Sequence, residues 1–167
     1  MERRKDRERT VFSGLNIVNL NTPMKTGSIK IIVVDDDPFT IAMTEETIRG
    51  VVTGGQIISF SSAADALKYL ETENRPSADD TLGMILSDLH MPGIDGFQFL
   101  DEFAKLSRAI QSRYSAFILS STTDAGEWAR LSERDCFAGF CSKPLTIPKL
   151  INLMGIAYSE YKNRNPG

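Results

Sequence analysis

A chain of 167 residues with 41% hydrophobic and 25% charged side chains has the make-up of one ordinary globular domain with a short extension. Its net charge of -3 argues against a nucleic-acid-binding surface spread over the molecule, so direct nucleic-acid binding is not expected. No run approaches the roughly 18 apolar residues of a membrane span, and no apolar stretch follows the charged N-terminus as in a signal peptide, so a cytoplasmic location is expected.

Residues 1–28 mix charges with Asn, Thr, Gly and Ser without a sustained period, which predicts a flexible extension. Its basic start, MERRKDRER, reads as a solvated tail or an arm that touches anions weakly. From Ile29 the pattern changes. IKIIVV (29–34) is a continuous β-branched run, the mark of a strand buried on both faces. Pro38 suits the first turn of a helix, where its missing N–H does no harm, and Ile41, Met43 and Ile48 supply that helix with apolar residues. QIISF (56–60) predicts a second strand, and Ser61 or Ser62 caps a helix with Ala66, Leu67 and Leu70 on one face. NRPSADDT (74–81) is a polar loop before a third strand, LGMILS (82–87). Phe99, Leu100, Phe103 and Leu106 fall at helical spacing within 95–106, and the phenylalanines there are core residues. SAFILS (115–120) is a fourth strand, followed by a short helix around Trp128 from Asp124 to Arg134. FAGFCS (137–142) is a fifth strand, and an amphipathic helix from Leu145 to Tyr161 closes the pattern. Cys136 and Cys141 are too few for a disulfide framework or a four-cysteine zinc site and read as small buried hydrophobes.

Five strands, each followed by a helix, predict a doubly wound α/β fold: a five-stranded parallel sheet of order 2-1-3-4-5, flavodoxin-like, over residues 29–162 with a tail at 163–167. Ligands of such sheets bind outside the carboxyl ends of the strands. Strand 1 ends there in Asp35-Asp36-Asp37, strand 3 in Asp88, strand 4 in Ser120-Ser121 and strand 5 in Ser142-Lys143-Pro144. Strands 1 and 3 are neighbours, so their carboxylates converge and repel unless a cation joins them. A hard divalent ion with oxygen ligands, Mg2+ or Mn2+, suits that donor set. Neither a G-x-x-x-x-G-K-[ST] nor a G-x-G-x-x-G loop occurs, so the site is not built for a nucleotide. It suits a single phosphoryl group between a metal and Lys143, with a carboxylate as nucleophile.

The segments VVDDDP (33–38), SDLHMPGIDG (87–96), ILSST (118–122) and FCSKPL (140–145) resemble the receiver domains of two-component response regulators, in the family's order and spacing. The resemblance implies Asp88 as phosphoacceptor, with Asp35, Asp36, Asp88 and the backbone carbonyl of His90 as metal ligands. It also implies Lys143 as the phosphoryl-binding lysine, a cis bond to Pro144, and Ser120 and Phe140 as the switch pair. The expected partners are a sensor histidine kinase or a histidine phosphotransfer protein and a downstream protein target. A phosphorylation-dependent dimer would form through the fourth helix, fifth strand and fifth helix. Asp37 is a third acid, and which two bind metal rests on the family register. His90, the only histidine, reads as a solvent-facing loop residue or a modulator of dephosphorylation.

Two other functions fit less well. An acid-rich α/β phosphatase forming an aspartyl-phosphate usually carries a D-x-D pair and a cap domain, whereas this chain has DDD and no length for a cap. A phosphorylation-independent interaction module would not need the complete set of acids, hydroxyl and lysine. No recognisable output segment follows the last helix, so a stand-alone regulator, a relay intermediate or a piece of a longer protein is expected.

Overall fold

The computed structural model describes residues 29–73 and 81–165. The extension expected at 1–28 lies outside the described residues, as do positions 74–80 of the loop expected at 74–81 and the last two residues of the tail expected at 163–167. Five strands, β1 (Ile29–Val34), β2 (Gln56–Phe60), β3 (Leu82–Asp88), β4 (Tyr114–Ser120) and β5 (Phe137–Ser142), form one parallel sheet of order β2-β1-β3-β4-β5. The helices are α1 (Pro38–Arg49), α2 (Ala63–Thr72), α3 (Gly96–Phe103), α4 (Arg108–Arg113), α5 (Ala125–Ser132) and α6 (Ile147–Arg164). The doubly wound α/β fold is therefore as expected.

The apolar run of β1 divides its side chains between two cores, because successive residues of a strand point to opposite faces. Ile32 and Val34 join the core under α2, α3 and α5, with Leu70, Phe99, Phe103 and Leu131. Ile31 and Val33 join the core under α1 and α6, with Ile48, Leu150 and Leu153. Both faces being covered is what permits a parallel sheet of continuous hydrophobic strands.

Local differences from the expectations have physical causes. The helix expected over 95–106 ends at Phe103, and the short α4 follows after a turn, burying Ile110. Sequence periodicity does not resolve a helix of six residues. Of the apolar residues expected in α1, Met43 is exposed, since α1 faces inward through Thr44 and Ile48 and Met43 lies around the helix from them. The last helix runs past Tyr161 to Arg164, whose guanidinium donates to the carbonyls of Gln111 and Tyr114 and pairs with Glu160 at 3.0 Å.

At the sheet end remote from the acids, Glu73 accepts from Lys30 at 2.8 Å, Tyr69 at 2.9 Å and Tyr114 at 3.0 Å. Burial works against the charge of Glu73, but these bonds outweigh it and hold its carboxyl below the ordinary range. Lys30 is likewise held above its ordinary value: burial lowers it, and its bonds to Glu73 and Tyr69 more than compensate.

Two outcomes follow for stability. Replacing fully buried Phe99 by Ala is expected to cost about 3–5 kcal/mol in urea unfolding, whereas Phe39→Ala at an exposed site changes it by less than about 0.5 kcal/mol. Glu73→Gln is expected to cost roughly 2–4 kcal/mol near neutral pH. A depressed carboxyl stabilises above its unfolded pKa of about 4.3 and loses that contribution as pH falls through the lower folded value. The gap between wild type and Glu73→Gln should therefore stay nearly constant from about pH 5 to 8 and close in stronger acid.

Candidate functional site at the carboxyl rim

Parallel pairing places the ends of β1, β3, β4 and β5 on one rim, with Val34 opposite Ser87, Asp88 opposite Leu119 and Ser120 opposite Ser142. The next residues along the chain, Asp35, Asp36 and Lys143, reach the same mouth. Carboxylate oxygens of Asp35, Asp36 and Asp88 all lie within 4.8 Å of one another. Lys143 Nζ bonds to Asp35 Oδ2 at 2.5 Å and lies 2.9 Å from Asp88 Oδ1. Asp35 and Asp88 are buried and Asp36 is exposed.

The local chain explains these positions. Asp37 is spent as the N-cap of α1: its carboxylate accepts from the backbone N–H of Phe39 and Thr40 and from the Thr40 hydroxyl at 2.6 Å. The DDD run therefore divides by geometry, with its third acid turned to the helix. Asp35 Oδ1 accepts from the Asp37 N–H at 2.9 Å, so the turn also orients Asp35. After Asp88 the chain folds back tightly, the Gly96 N–H donating to the Leu89 carbonyl at 2.8 Å. A Cβ at Gly96 would sit 2.8 Å from the Asp88 carbonyl oxygen, and Gly93 adopts φ +79°, so this loop requires glycine twice. Asp95 then caps α3 in a reciprocal box with Gln98.

Burial pushes the Asp88 carboxyl above its ordinary value; Lys143 pulls it down, and the charge of Asp35 adds to the rise. Lys143 is shifted up: burial opposes its charge, and the bonds to Asp35 and Asp88 prevail. Ser120 is fully buried at the end of β4, its Oγ accepting from the Thr122 N–H and its carbonyl from the Lys143 N–H at 2.9 Å. The Lys143–Pro144 peptide is cis. Phe140, half-buried in β5, packs on Trp128 of α5 with ring centroids 3.8 Å apart. The side chain of His90 is exposed, as expected, but its Nε2 lies 3.3 Å from Glu127 Oε1, a contact without a sequence signal because 37 residues separate the two in the chain.

The family model of the response regulator receiver domain matches residues 31–154. The chain belongs to that family. Among curated relatives, the hybrid signal transduction histidine kinase L of Dictyostelium discoideum is 30% identical over 80% of this chain, which spans 8% of that protein. The two-component response regulator ORR22 of Oryza sativa subsp. indica is 36% identical over 44% of this chain, which spans 10% of it. Among solved structures, a response regulator receiver protein from Dyadobacter fermentans is 28% identical with a TM-score of 0.67, covering 78% of this chain and 98% of its own. A two-component response regulator from Cytophaga hutchinsonii is 26% identical with the same TM-score of 0.67, covering 79% and 98%.

In this receiver domain the acidic trio fits a hard cation. Two bonds of about 2.1 Å span most of the separation between its oxygens, and the donors are all carboxylate. Among the described residues no helix is long and apolar enough to cross a membrane. Replacing Lys143 by Met leaves Asp35 and Asp88 facing each other without their cation. Stability without metal should fall by about 1–3 kcal/mol. The rise in melting temperature on adding millimolar Mg2+ should exceed that of wild type, because the competing ammonium is gone; calorimetry with and without Mg2+ measures both.

Proposed function

We propose that this receiver accepts a phosphoryl group on Asp88 from the phosphohistidine of a sensor histidine kinase or a histidine phosphotransfer protein. The observation that carries this reading is Lys143 Nζ at 2.9 Å from Asp88 Oδ1, beside an acidic trio able to share one ion. Asp35, Asp36, Asp88 and the His90 carbonyl would hold Mg2+ or Mn2+. The bound ion supplies charge neutralisation on the phosphoryl oxygens.

The chain's own residues account for the remaining steps. An Asp88 carboxylate oxygen forms the new bond to phosphorus as the bond to the donor imidazole nitrogen breaks, leaving that histidine neutral after one proton settles on the ring. Lys143, freed from part of its contact with Asp88, offsets the charge of the incoming group as a mobile point charge. The hydroxyl of Ser120 turns toward the phosphoryl oxygen, and Phe140 follows into the space behind it. That pair would alter the face of α5, β5 and α6, the surface offered to a downstream target or to a second activated copy.

A partner surface borders the mouth. Phe39, Met43 and Ile147 are 72%, 46% and 48% exposed, the large exposed hydrophobics among the described residues. Phe39 and Met43 lie one turn apart on α1, and the Thr47 hydroxyl of that helix donates to the Leu145 carbonyl at 3.4 Å, joining it to the segment before Ile147. This apolar strip suits docking of the histidine donor beside Asp88.

Incubation with Mg2+ and acetyl phosphate is expected to modify wild type at Asp88 and to leave Asp88→Asn unmodified, as read by intact mass and peptide mapping. An unmodified wild type ends this reading, and steady phosphate release from phosphomonoesters would favour a hydrolase instead. Phe39→Ala with Met43→Ala should slow transfer from a phosphotransfer protein about tenfold more than transfer from acetyl phosphate.

A further inference from the structure

Helix α5 is held to the rest of the domain by little apolar burial. Leu131 is its one buried residue. Its other attachments are side-chain contacts at the surface: Trp128 on Phe140, and Arg130 with its guanidinium carbon 4.2 Å from the Phe97 ring centre; just past its end, Arg134 lies 5.2 Å from the same ring and pairs with Asp101 at 2.8 Å. Two consecutive residues of its first turn reach opposite sides of the phosphoacceptor site. Glu127 meets His90, two residues after Asp88, and Trp128 meets Phe140, three residues before Lys143.

The Glu127 contact is only half satisfied. Its Oε1 lies 3.3 Å from His90 Nε2, a long contact for a hydrogen bond. Its Oε2 is the one buried side-chain polar atom, among the described residues, without a hydrogen-bond partner. A carboxylate oxygen left in that state raises the free energy of the arrangement that holds it. Resting on the phospho-acceptor reading above, we infer that Glu127 is a positioning residue: it tethers α5 to the phosphoacceptor loop through His90 in the resting protein and releases when an anion occupies Asp88.

The competition is electrostatic. A phosphoryl group or its mimic adds negative charge beside the loop that carries His90 and competes with Glu127 for its ring N–H. Glu127 then turns to water, which satisfies the stranded oxygen. Helix α5 loses one of its few ties, and the packing of Trp128 on Phe140 readjusts. A contact present only in the resting state opposes occupancy, so its removal strengthens binding of the anion.

Trp128 is the sole tryptophan, so its emission reports the α5 contact directly. The experiment titrates the protein with beryllofluoride in the presence of Mg2+, comparing wild type, Glu127→Gln, His90→Ala and the double variant; His90→Ala keeps the backbone carbonyl. Glu127→Gln is expected to lower the beryllofluoride midpoint about threefold or more. Its resting emission should move toward that of saturated wild type. In the His90→Ala background the same substitution should leave the midpoint unmoved, since Glu127 acts through that ring. A Glu127→Gln midpoint equal to or above wild type, or an effect that persists without His90, overturns the inference. Should Glu127→Gln lose its cooperative fold, Glu127→Asp withdraws the carboxylate by one methylene and is held to the same outcomes. A wild type that accepts phosphate at Asp88 while the variants match it removes the tether alone; one that takes neither phosphate nor beryllofluoride removes the receiver reading with it.

Discussion

The ammonium of Lys143, gripped between carboxylates of Asp35 and Asp88, joins the loops after β1, β3 and β5 into one rim. Two acids this close and this buried would repel without a cation, and each would resist ionisation. Lys143 removes the conflict while remaining exchangeable, because its bonds are electrostatic and its stem is flexible. On the proposed reading, the same rim persists with the lysine between the acids or with a metal and a phosphoryl group sharing them. The fold's contribution is to bring a residue from 108 positions along the chain to Asp35 with no covalent link.

Much of this was legible in the sequence because strands and helices alternate without interruption. The β-branched run at 29–34 and the short apolar runs after it named the strands, and parallel pairing followed from the crossovers. Asp35, Asp36, Asp88, Ser120 and Lys143 were visible as the polar residues at strand ends, and the structure brings Asp35, Asp36, Asp88 and Lys143 together. Which acids of DDD meet was not legible from spacing alone. That depends on Asp37 capping α1, which is fixed by where the helix starts. Helix α4 escaped notice because six residues give less than two turns of periodicity. Which apolar residues of α1 face inward was not legible, because an apolar residue on a helix has no face until the rest of the helix is docked. Glu127 gave no signal because its partner lies on another loop, and loop-to-helix contacts carry no periodicity.

The two ends of the sheet divide the electrostatic labour. At the carboxyl rim, acids outnumber cations and the arrangement favours a newcomer. At the other end, Glu73 is surrounded by donors from Lys30, Tyr69 and Tyr114, which satisfy its charge within the fold. That network fastens the end of α2 to β1 and β4, so the sheet is anchored at the end where no chemistry is proposed.

The thin packing of α5 has an evolutionary corollary. A helix whose only buried residue is Leu131 can exchange most of its side chains without opening a cavity, so substitutions there cost the fold little. Its outer surface can thereby change while the acids and the lysine at the rim stay put. The exceptions are Glu127 and Trp128, whose contacts with His90 and Phe140 tie that helix back to the rim.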